Sequence, residues 1–440
     1  MLVNHETRSL AGLTAAIVTT AAFAKTFVPF YLIGSTVIFA ATCALGAALV
    51  IVSWRSIYDM ASKIPDILLL SGALYGLVIV NFLFYSRPTV PTTHLLGILI
   101  FHALFMIFGF SAARALNAVW MTLLGAAAIY SIAIIRYTAE FGDLMKGYYL
   151  HDIFGVGHYD VFITFHQNIG IVLGLAALAA VGLASNRIKQ ILVAGALLLV
   201  LPFLLYIGAR GALVALVCSL IFLGAAGVWI RSRKMALLAV AAVTVTVILA
   251  SGLFYQRALH DKTFNPEAND AISRTIREIQ RPNPGLRFGI WTAAWQRISA
   301  EPDRLMFGRG IGMYPVIEGY GVPDWLLRRT EAAGHYPHNV YLEMLYETGI
   351  TGLLLFSILT LLPLVIALKR WRSFSSVQRS AISMYVFQLV GSEFSGAFAF
   401  GYLDQFFFAI TVGIIALKRA DDVLVPGQCS AKGQDVSYSR

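Results

Sequence analysis

Charged residues are scarce in this chain. Aspartate, glutamate, lysine and arginine together make up 13% of its 440 residues, and hydrophobic residues make up 58%. Soluble domains carry about 25% charged residues, and a core could bury only part of so much apolar surface. The composition therefore excludes an ordinary soluble domain and predicts a polytopic membrane protein, with lipid solvating the remaining apolar residues.

Cysteine is equally sparse, with only Cys43, Cys218 and Cys429. Their spacing matches neither a metal site nor a disulfide framework. A cleavable signal is not apparent either, because the first eight residues are mostly polar and no small-residue cleavage site follows. We therefore expect the first hydrophobic segment to remain as a helix.

Apolar runs of roughly 17–25 residues, the length that crosses a bilayer, recur along the chain. They predict an all-α, polytopic transmembrane bundle of about twelve spans with a long, partly helical external loop. The predicted spans are 9–24, 30–53, 65–85, 92–112, 115–136, 161–184, 189–208, 211–230, 235–255, 338–368, 377–396 and 401–418. The chain then divides into helices 1–9 in 1–255, the large loop in 256–337, helices 10–12 in 338–418 and a polar tail in 419–440.

The basic residues predict which side of the membrane each loop faces. Positive charge accumulates in cytoplasmic loops, and 17 of the 33 lysines and arginines fall on the side of the two termini against five in the short loops opposite. The first set is Arg8, Arg55, Lys63, Arg114, Arg187, Lys189, Arg231, Arg233, Lys234, Lys369, Arg370, Arg372, Arg379, Lys418, Arg419, Lys432 and Arg440; the second is Lys25, Arg87, Arg136, Lys146 and Arg210. We expect both termini to be cytoplasmic and 256–337 to be external. The net charge of +10 is then a topology signal and not a nucleic-acid footprint.

Three arginines are candidate ligands for an anion. Arg210 lies in a very short external turn between two apolar runs, with Gly208 and Gly211 beside it. Arginine at membrane depth normally faces a cavity or a partner, although snorkelling to the interface is an alternative. Arg287 belongs to the long loop, where arginines usually make surface salt bridges. Arg309 belongs to the same loop, and its flanking glycines suit an anionic ligand and an exposed turn equally well.

Two histidines precede the tenth predicted span, in the order His335, Tyr336, Pro337, His338, Asn339. Proline disfavours helix for the residue before it, so the helix should start near His338 or Asn339, with Asn339 as its cap. His338 would then lie at the external rim. A hydrogen bond to backbone is the commoner fate of such a histidine, and the His-x-x-His spacing gives only weak support for a metal.

Further polar residues are less specific. His151, Asp152, His158 and Asp160 form a loose external group that could bind a sugar or a metal, or serve as a polar lid. The run from His166 to Asn168 begins the sixth span, where polar residues usually face a cavity. These residues predict no particular chemistry alone.

External arginines and an external histidine form a chemically coherent set. Arginine forks bind phosphate oxygens in a bidentate way and stay charged, and histidine can take a proton from a hydroxyl. A lipid-linked diphosphate sugar reacting with a hydroxyl acceptor requires both functions. No acidic pair is placed to hold a divalent ion, so the arginines could supply the charge of a metal.

Four segments resemble the O-antigen ligase family of bacterial envelope proteins. They are His338-Asn339 followed after nine residues by Gly349-x-x-Gly352, the Arg-Gly-Ala of 210–212, the Arg-x-x-x-Trp of 287–291 and the Phe-Gly-Arg-Gly-Ile-Gly of 307–312. One departure is Leu353-Leu354, where the ligase pattern often has Thr-Thr.

The resemblance implies a metal-independent, inverting membrane glycosyltransferase of the GT-C class, without a cofactor, in the bacterial inner membrane. The donor would be a glycan on undecaprenyl diphosphate and the acceptor the lipid A core, at the periplasmic face. His338 would be the base, Arg210 and Arg287 would hold the diphosphate, and Arg309 and His335 would contact substrate. Related polymerases that join lipid-linked repeat units remain an alternative. A transporter or flippase is a weaker one, because few charges lie within the predicted spans.

Overall fold

The structure is a computed structural model that describes residues 2–24, 35–141, 159–229, 232–260, 271–280, 287–318 and 336–424. Throughout these ranges the regular structure is helical and no strand occurs. The α-helices are α1 (Leu2–Phe23), α2 (Ser35–Val52), α3 (Trp54–Ala61), α4 (Pro65–Asn81), α5 (Thr92–Ala112), α6 (Leu116–Phe141), α7 (Tyr159–Leu183), α8 (Arg187–Tyr206), α9 (Arg210–Trp229), α10 (Arg233–His260), α11 (Ala271–Gln280), α12 (Arg287–Ala300), α13 (Tyr314–Glu318), α14 (Val340–Lys369), α15 (Ser376–Ser395) and α16 (Tyr402–Leu424).

The all-α prediction is confirmed, and a helix occupies each of the twelve predicted apolar runs. Among the described residues, five helical segments are long and apolar enough to cross a membrane, or six if the bent pair α2–α3 is one span. The chain is thus a multi-pass membrane protein, and the count of twelve spans stays a prediction. Apolar composition alone does not identify α15 as a span. Its polar residues Ser380, Ser383 and Gln388 are buried, so protein and not lipid surrounds its polar side.

Close helix packing relies on small residues. Gly109 of α5 lies against Ala409 of α16, and further along the pair Gly413 of α16 lies against Ala113. A side chain at either glycine would overlap its neighbour, as expected where membrane helices approach closely. At the far end of α16, Arg419 makes a two-pronged pair with Asp66 at 2.9 and 3.0 Å, which raises the pKa of the arginine.

Helix α14 differs most from expectation, because it is a hairpin and not one continuous span. Gly349 has φ 68° and ψ −169°, which interrupts the helix. The hydroxyl groups of Tyr341 and Thr360 are 3.0 Å apart, and the ring of Tyr341 packs on that of Phe356 at 5.2 Å. In a straight helix the nineteen positions from 341 to 360 would span about 28 Å. Residues 340–348 therefore fold back along 350–369; we call the first stretch the short arm and the second the long arm.

The broken backbone at Gly349 is paired with a distant segment, 305–312. Ile350 N–H donates to the Leu305 carbonyl at 2.9 Å, and Gly310 N–H donates to the Glu347 carbonyl at 2.8 Å. Gly308 and Gly349 both have positive φ, and a Cβ at either would overlap backbone of the other segment. Two of the sequence segments that resembled a known family thus form one interlocked backbone unit. An interrupted membrane helix is tolerated where protein satisfies its free polar groups in this way.

Asn81, at the end of α4, closes the same unit. Its amide donates to the Phe307 carbonyl at 2.6 Å and to the Glu347 carbonyl at 3.3 Å, and its oxygen accepts from Ile311 N–H at 2.9 Å. The residue is buried. Since a buried amide is costly unless it is hydrogen-bonded, Asn81 fixes the position of segment 305–312 on the turn of α14.

The short arm and the α15–α16 connection lie well inside the bundle. Tyr402, where α16 starts, packs on Phe105 of α5 with ring centroids 5.5 Å apart. Phe105 is thirteen residues, or about 20 Å of helix, beyond Thr92, where α5 begins. The α15–α16 connection and the start of the short arm therefore lie about 20 Å inward from that end of α5, and we call this inward level of the bundle the recess.

Candidate functional site

His338 directly precedes the short arm and has an unusual backbone. Its φ is 57°. Among the described residues it is the only non-glycine residue with a positive φ. Asn339 caps the helix as predicted, its side-chain oxygen accepting from Leu342 N–H at 2.8 Å. Positive φ costs free energy and persists only where surrounding contacts impose it. The imidazole is half-buried, and its ring centre is 4.6 Å from that of Tyr336. Tyr341, one turn along the short arm, reaches Thr360, so His338 lies within the recess and not at an outer rim.

Helix α12 runs alongside the short arm. The indole N–H of Trp291 donates to the Pro337 carbonyl at 2.8 Å, and further along Ala294 and Ile298 pack with Tyr346 in a small core. The two helices are therefore parallel, and both begin at the His338 end. Arg287 is the first residue of α12, one turn before Trp291, or about 6 Å; its side chain lies outside the described residues.

Two helix amino termini thus meet beside His338. The first turn of a helix has free N–H groups and a partial positive charge. An anion bound between two such ends would gain from both, and arginine at one of them adds a full charge. The helix ends at this end of the hairpin therefore favour a phosphate group, while the carboxylates of Glu393 and Asp404 nearby oppose one.

Arg210 begins α9 directly after the turn at Gly208, where φ is 73°. Its guanidinium donates to the Thr275 hydroxyl of α11 at 2.9 Å. Neighbouring Ala209 packs on Gly170 of α7, and one turn along α7 Gly174 packs on Phe387 of α15. Arg210 therefore lies at the depth of the last turns of α15, the level of the recess.

Arg309 lies apart from these groups. It is 7% exposed, its guanidinium donates to the Arg297 carbonyl at 2.7 Å, and it is 3.3 Å from the Glu301 carboxylate. It also stands 4.7 Å from the centre of the Tyr346 ring, eight residues or about 12 Å along the short arm from His338. These contacts favour a structural role, and a substrate contact by Arg309 stays a prediction.

Four carboxylates lie within the bundle that the sequence analysis did not single out. Glu343 and Glu347 of the short arm accept backbone N–H bonds from Phe398 and Tyr314, both at 3.0 Å. Their i, i+4 spacing in an apolar helix is the sequence pattern that could have indicated that the two side chains lie on one face. They attach the arm to its neighbours, so they do not mark a transport path.

The other two carboxylates, Glu393 and Asp404, lie near the amino end of the short arm. Glu393 is hydrogen-bonded to the side chain of Asn339, and Asp404 accepts from the Ser392 hydroxyl at 2.7 Å. Through Asn339, α15 is joined to the residue that follows His338. This contact depends on tertiary structure, and no sequence spacing indicated it.

A cavity of about 20 Å³ beneath the short arm is lined by Tyr75, Val340, Thr360, Ser392 and Asp404 among others. A cavity of this size holds roughly one water molecule. It is too small for a sugar. A glycan substrate could not occupy it and would have to reach His338 from elsewhere in the recess.

The remaining candidates are only partly described. His335 and the group from His151 to His158 lie outside the described residues, and so do the side chains of Asp160 and His166. Gln167 and Asn168 are half-buried on α7, three and two residues from Gly170, near the depth of Arg210. In the described part of the chain, no group of three or more histidine, cysteine, aspartate or glutamate residues could hold a metal ion.

Comparison with known proteins adds one match. Residues 194–357, from α8 into the long arm of α14, match the family model described as O-Antigen ligase. No curated protein shows significant similarity to the chain. The matched stretch contains Arg210, Arg287, the 305–312 segment, His338 and the turn at Gly349, and over these residues the chain is similar to the O-antigen ligase family.

Proposed function

We propose that this protein is an O-antigen ligase that transfers a polysaccharide from undecaprenyl diphosphate to the lipid A core. The reaction would take place at the periplasmic face of the bacterial inner membrane. The observation that carries the proposal is the meeting of two helix amino termini at His338, with Arg287 opening one of them and Trp291 joining it to Pro337. Arg210 is at a similar depth in the bundle.

In this mechanism the acceptor is a sugar hydroxyl and His338 is its base. The imidazole takes the hydroxyl proton as the acceptor oxygen bonds to the anomeric carbon of the donor. The bond from that carbon to the diphosphate oxygen breaks, and undecaprenyl diphosphate leaves with the bonding electrons. Attack opposite the leaving group inverts the anomeric centre, and no metal takes part.

Arg210 and Arg287 would bind the diphosphate before and during departure. Guanidinium groups pair with two phosphate oxygens at once, and the free N–H groups at the start of α9 and α12 add to this charge. The cavity beneath Val340 is too small for the sugar, so the sugar would lie in the recess. The donor's lipid chain would extend into the membrane beside the bundle.

A polymerase that joins two lipid-linked repeat units is the second candidate. The observation that favours it is Leu353-Leu354 after Gly352, since both leucines lie on the long arm, next to the turn at Gly349. A flippase has less support. The buried Glu343 and Glu347 are bonded to backbone amides and do not line a path across the membrane.

The lipopolysaccharide profile of a deletion strain separates the two candidates. A ligase predicts that capped lipopolysaccharide disappears while long polymer accumulates on the lipid carrier. A polymerase predicts cores that carry a single repeat unit. An unchanged profile, with normal chain lengths, would contradict both.

A further inference from the structure

A second cavity lies at the opposite end of the bundle from Arg210. Helix α9 runs about 30 Å from Arg210 to Trp229, and the cavity opens where it ends. Its volume is about 1080 Å³, and its walls come from α9, α10 and the turn after the long arm of α14. It shares no residue with the recess around His338 and is unconnected with the proposed transfer.

Cationic side chains line the rim of this cavity. They are Arg233, Lys369, Arg370 and Arg372, and none of the described lining residues is acidic. Arg233, Lys369 and Arg372 are exposed to solvent. Four positive charges around one concavity attract an anionic group more strongly than the same charges spread over a convex surface.

The deeper wall is apolar and aromatic. Phe222 packs edge-on against Trp371 at 5.5 Å, and Trp229 lies at the rim with Arg233 5.7 Å from its ring centre. Exposed Leu237 and Val365 continue the wall along the sides of α10 and α14. Tryptophan beside arginine at the end of apolar helices is typical of the level of lipid headgroups.

We propose that this cavity binds the headgroup of an anionic phospholipid, with its acyl chains lying along the exposed apolar faces of α10 and the long arm of α14. Basic pockets between membrane helices bind acidic lipid headgroups in this way. The combination of a cationic rim with an apolar wall distinguishes the site from one for free phosphate, because phosphate would gain nothing from contact with the apolar side chains of Leu237 and Val365. The bound lipid would hold α10 against α9 and α14.

The test uses the purified full-length protein in detergent, titrated with phosphatidylglycerol or phosphatidylcholine and examined by native mass spectrometry. We expect one phosphatidylglycerol to bind at least tenfold more tightly than phosphatidylcholine, and millimolar inorganic phosphate not to displace it. Replacing Arg233 and Arg372 together by glutamine should remove the preference. Replacing both by lysine should largely retain it.

The matched control is the double change Arg187→Gln and Lys189→Gln, which removes two exposed charges at the same end of the bundle but outside the cavity. It should leave the preference intact. Equal losses in both glutamine pairs would show a diffuse surface effect and overturn the proposal. Equal affinity for the two lipids, or displacement by phosphate, would overturn it as well.

Discussion

The indole of Trp291 donates a hydrogen bond of 2.8 Å to the carbonyl of Pro337, the residue before His338. This contact joins the helix that begins with Arg287 to the backbone that carries the proposed base. His338 has a positive φ, so its conformation depends on such neighbours. Trp291 therefore sets the position of His338 relative to Arg287, although Trp291 itself need not contact the substrate.

Trp291→Phe should keep the packing of α12 but lose this hydrogen bond. One hydrogen bond contributes about 1 kcal/mol, so we expect transfer to fall about fivefold in membranes with matched protein levels. Trp295→Phe is the control, because Trp295 is on the same helix and 58% exposed. Equal activity of the two variants would show that Trp291 does not position the site.

His338→Ala should reduce transfer of polymer to the core by about 10²–10⁴-fold, the usual contribution of a positioned base. Donor binding should change little, because the diphosphate is held by other groups. His335→Ala is expected to be milder. An active His338 variant beside an inactive His335 variant would identify His335 as the base, and two active variants would exclude general-base catalysis by either.

Arg210→Ala and Arg287→Ala should weaken both donor binding and turnover, since the diphosphate is bound before it leaves. Lysine at either position should restore activity only in part, because it keeps the charge and loses the bidentate fork. Donor binding can be measured with purified protein and a labelled lipid diphosphate. Arg257→Ala, at an exposed position on α10, is the control. If the alanine variants bind donor normally, these arginines do not hold the diphosphate.

Gly349→Ala should destabilise the hairpin of α14. Its φ and ψ are almost restricted to glycine, at a cost of about 1–3 kcal/mol for other residues, and the added Cβ would overlap backbone at Met306. We expect lower yield and a melting temperature in detergent reduced by about 1–3 °C from the backbone cost alone. Gly97→Ala, in open space on α5, should have no such effect. A normal melting curve for the Gly349 variant would mean that the turn does not require glycine.

Reporter fusions test the side of the membrane predicted from the basic residues. Fusions at Arg233 and after Ala420 should report a cytoplasmic location, and fusions near Pro266 and Glu331 a periplasmic one. A cytoplasmic signal from either of the last two would put His338 on the wrong face for transfer to the lipid A core.

Some features of the fold could be predicted because their cause is local. Long apolar runs form helices wherever they lie, and the cap at Asn339 depends only on its own neighbours in sequence. The large loop was also predicted to be partly helical, and α11 and α12 lie within it.

Features that depend on distant contacts could not be read in this way. The hairpin in α14 requires segment 305–312 and Asn81 to satisfy its backbone, so Gly349 alone gave no sign of it. The burial of Arg309 depends on Tyr346 and Glu301, and its glycine neighbours had suggested exposure.

The interlocked unit at Gly349 has a consequence for assembly in the membrane. Twenty residues, 350–369, are enough to cross the hydrocarbon layer, so the preceding nine need not enter it as part of a span. Their position depends instead on 305–312, which Asn81 holds. The crossing of the membrane by the long arm and the placement of the His338 region thus depend on different surroundings, the first on lipid and the second on protein.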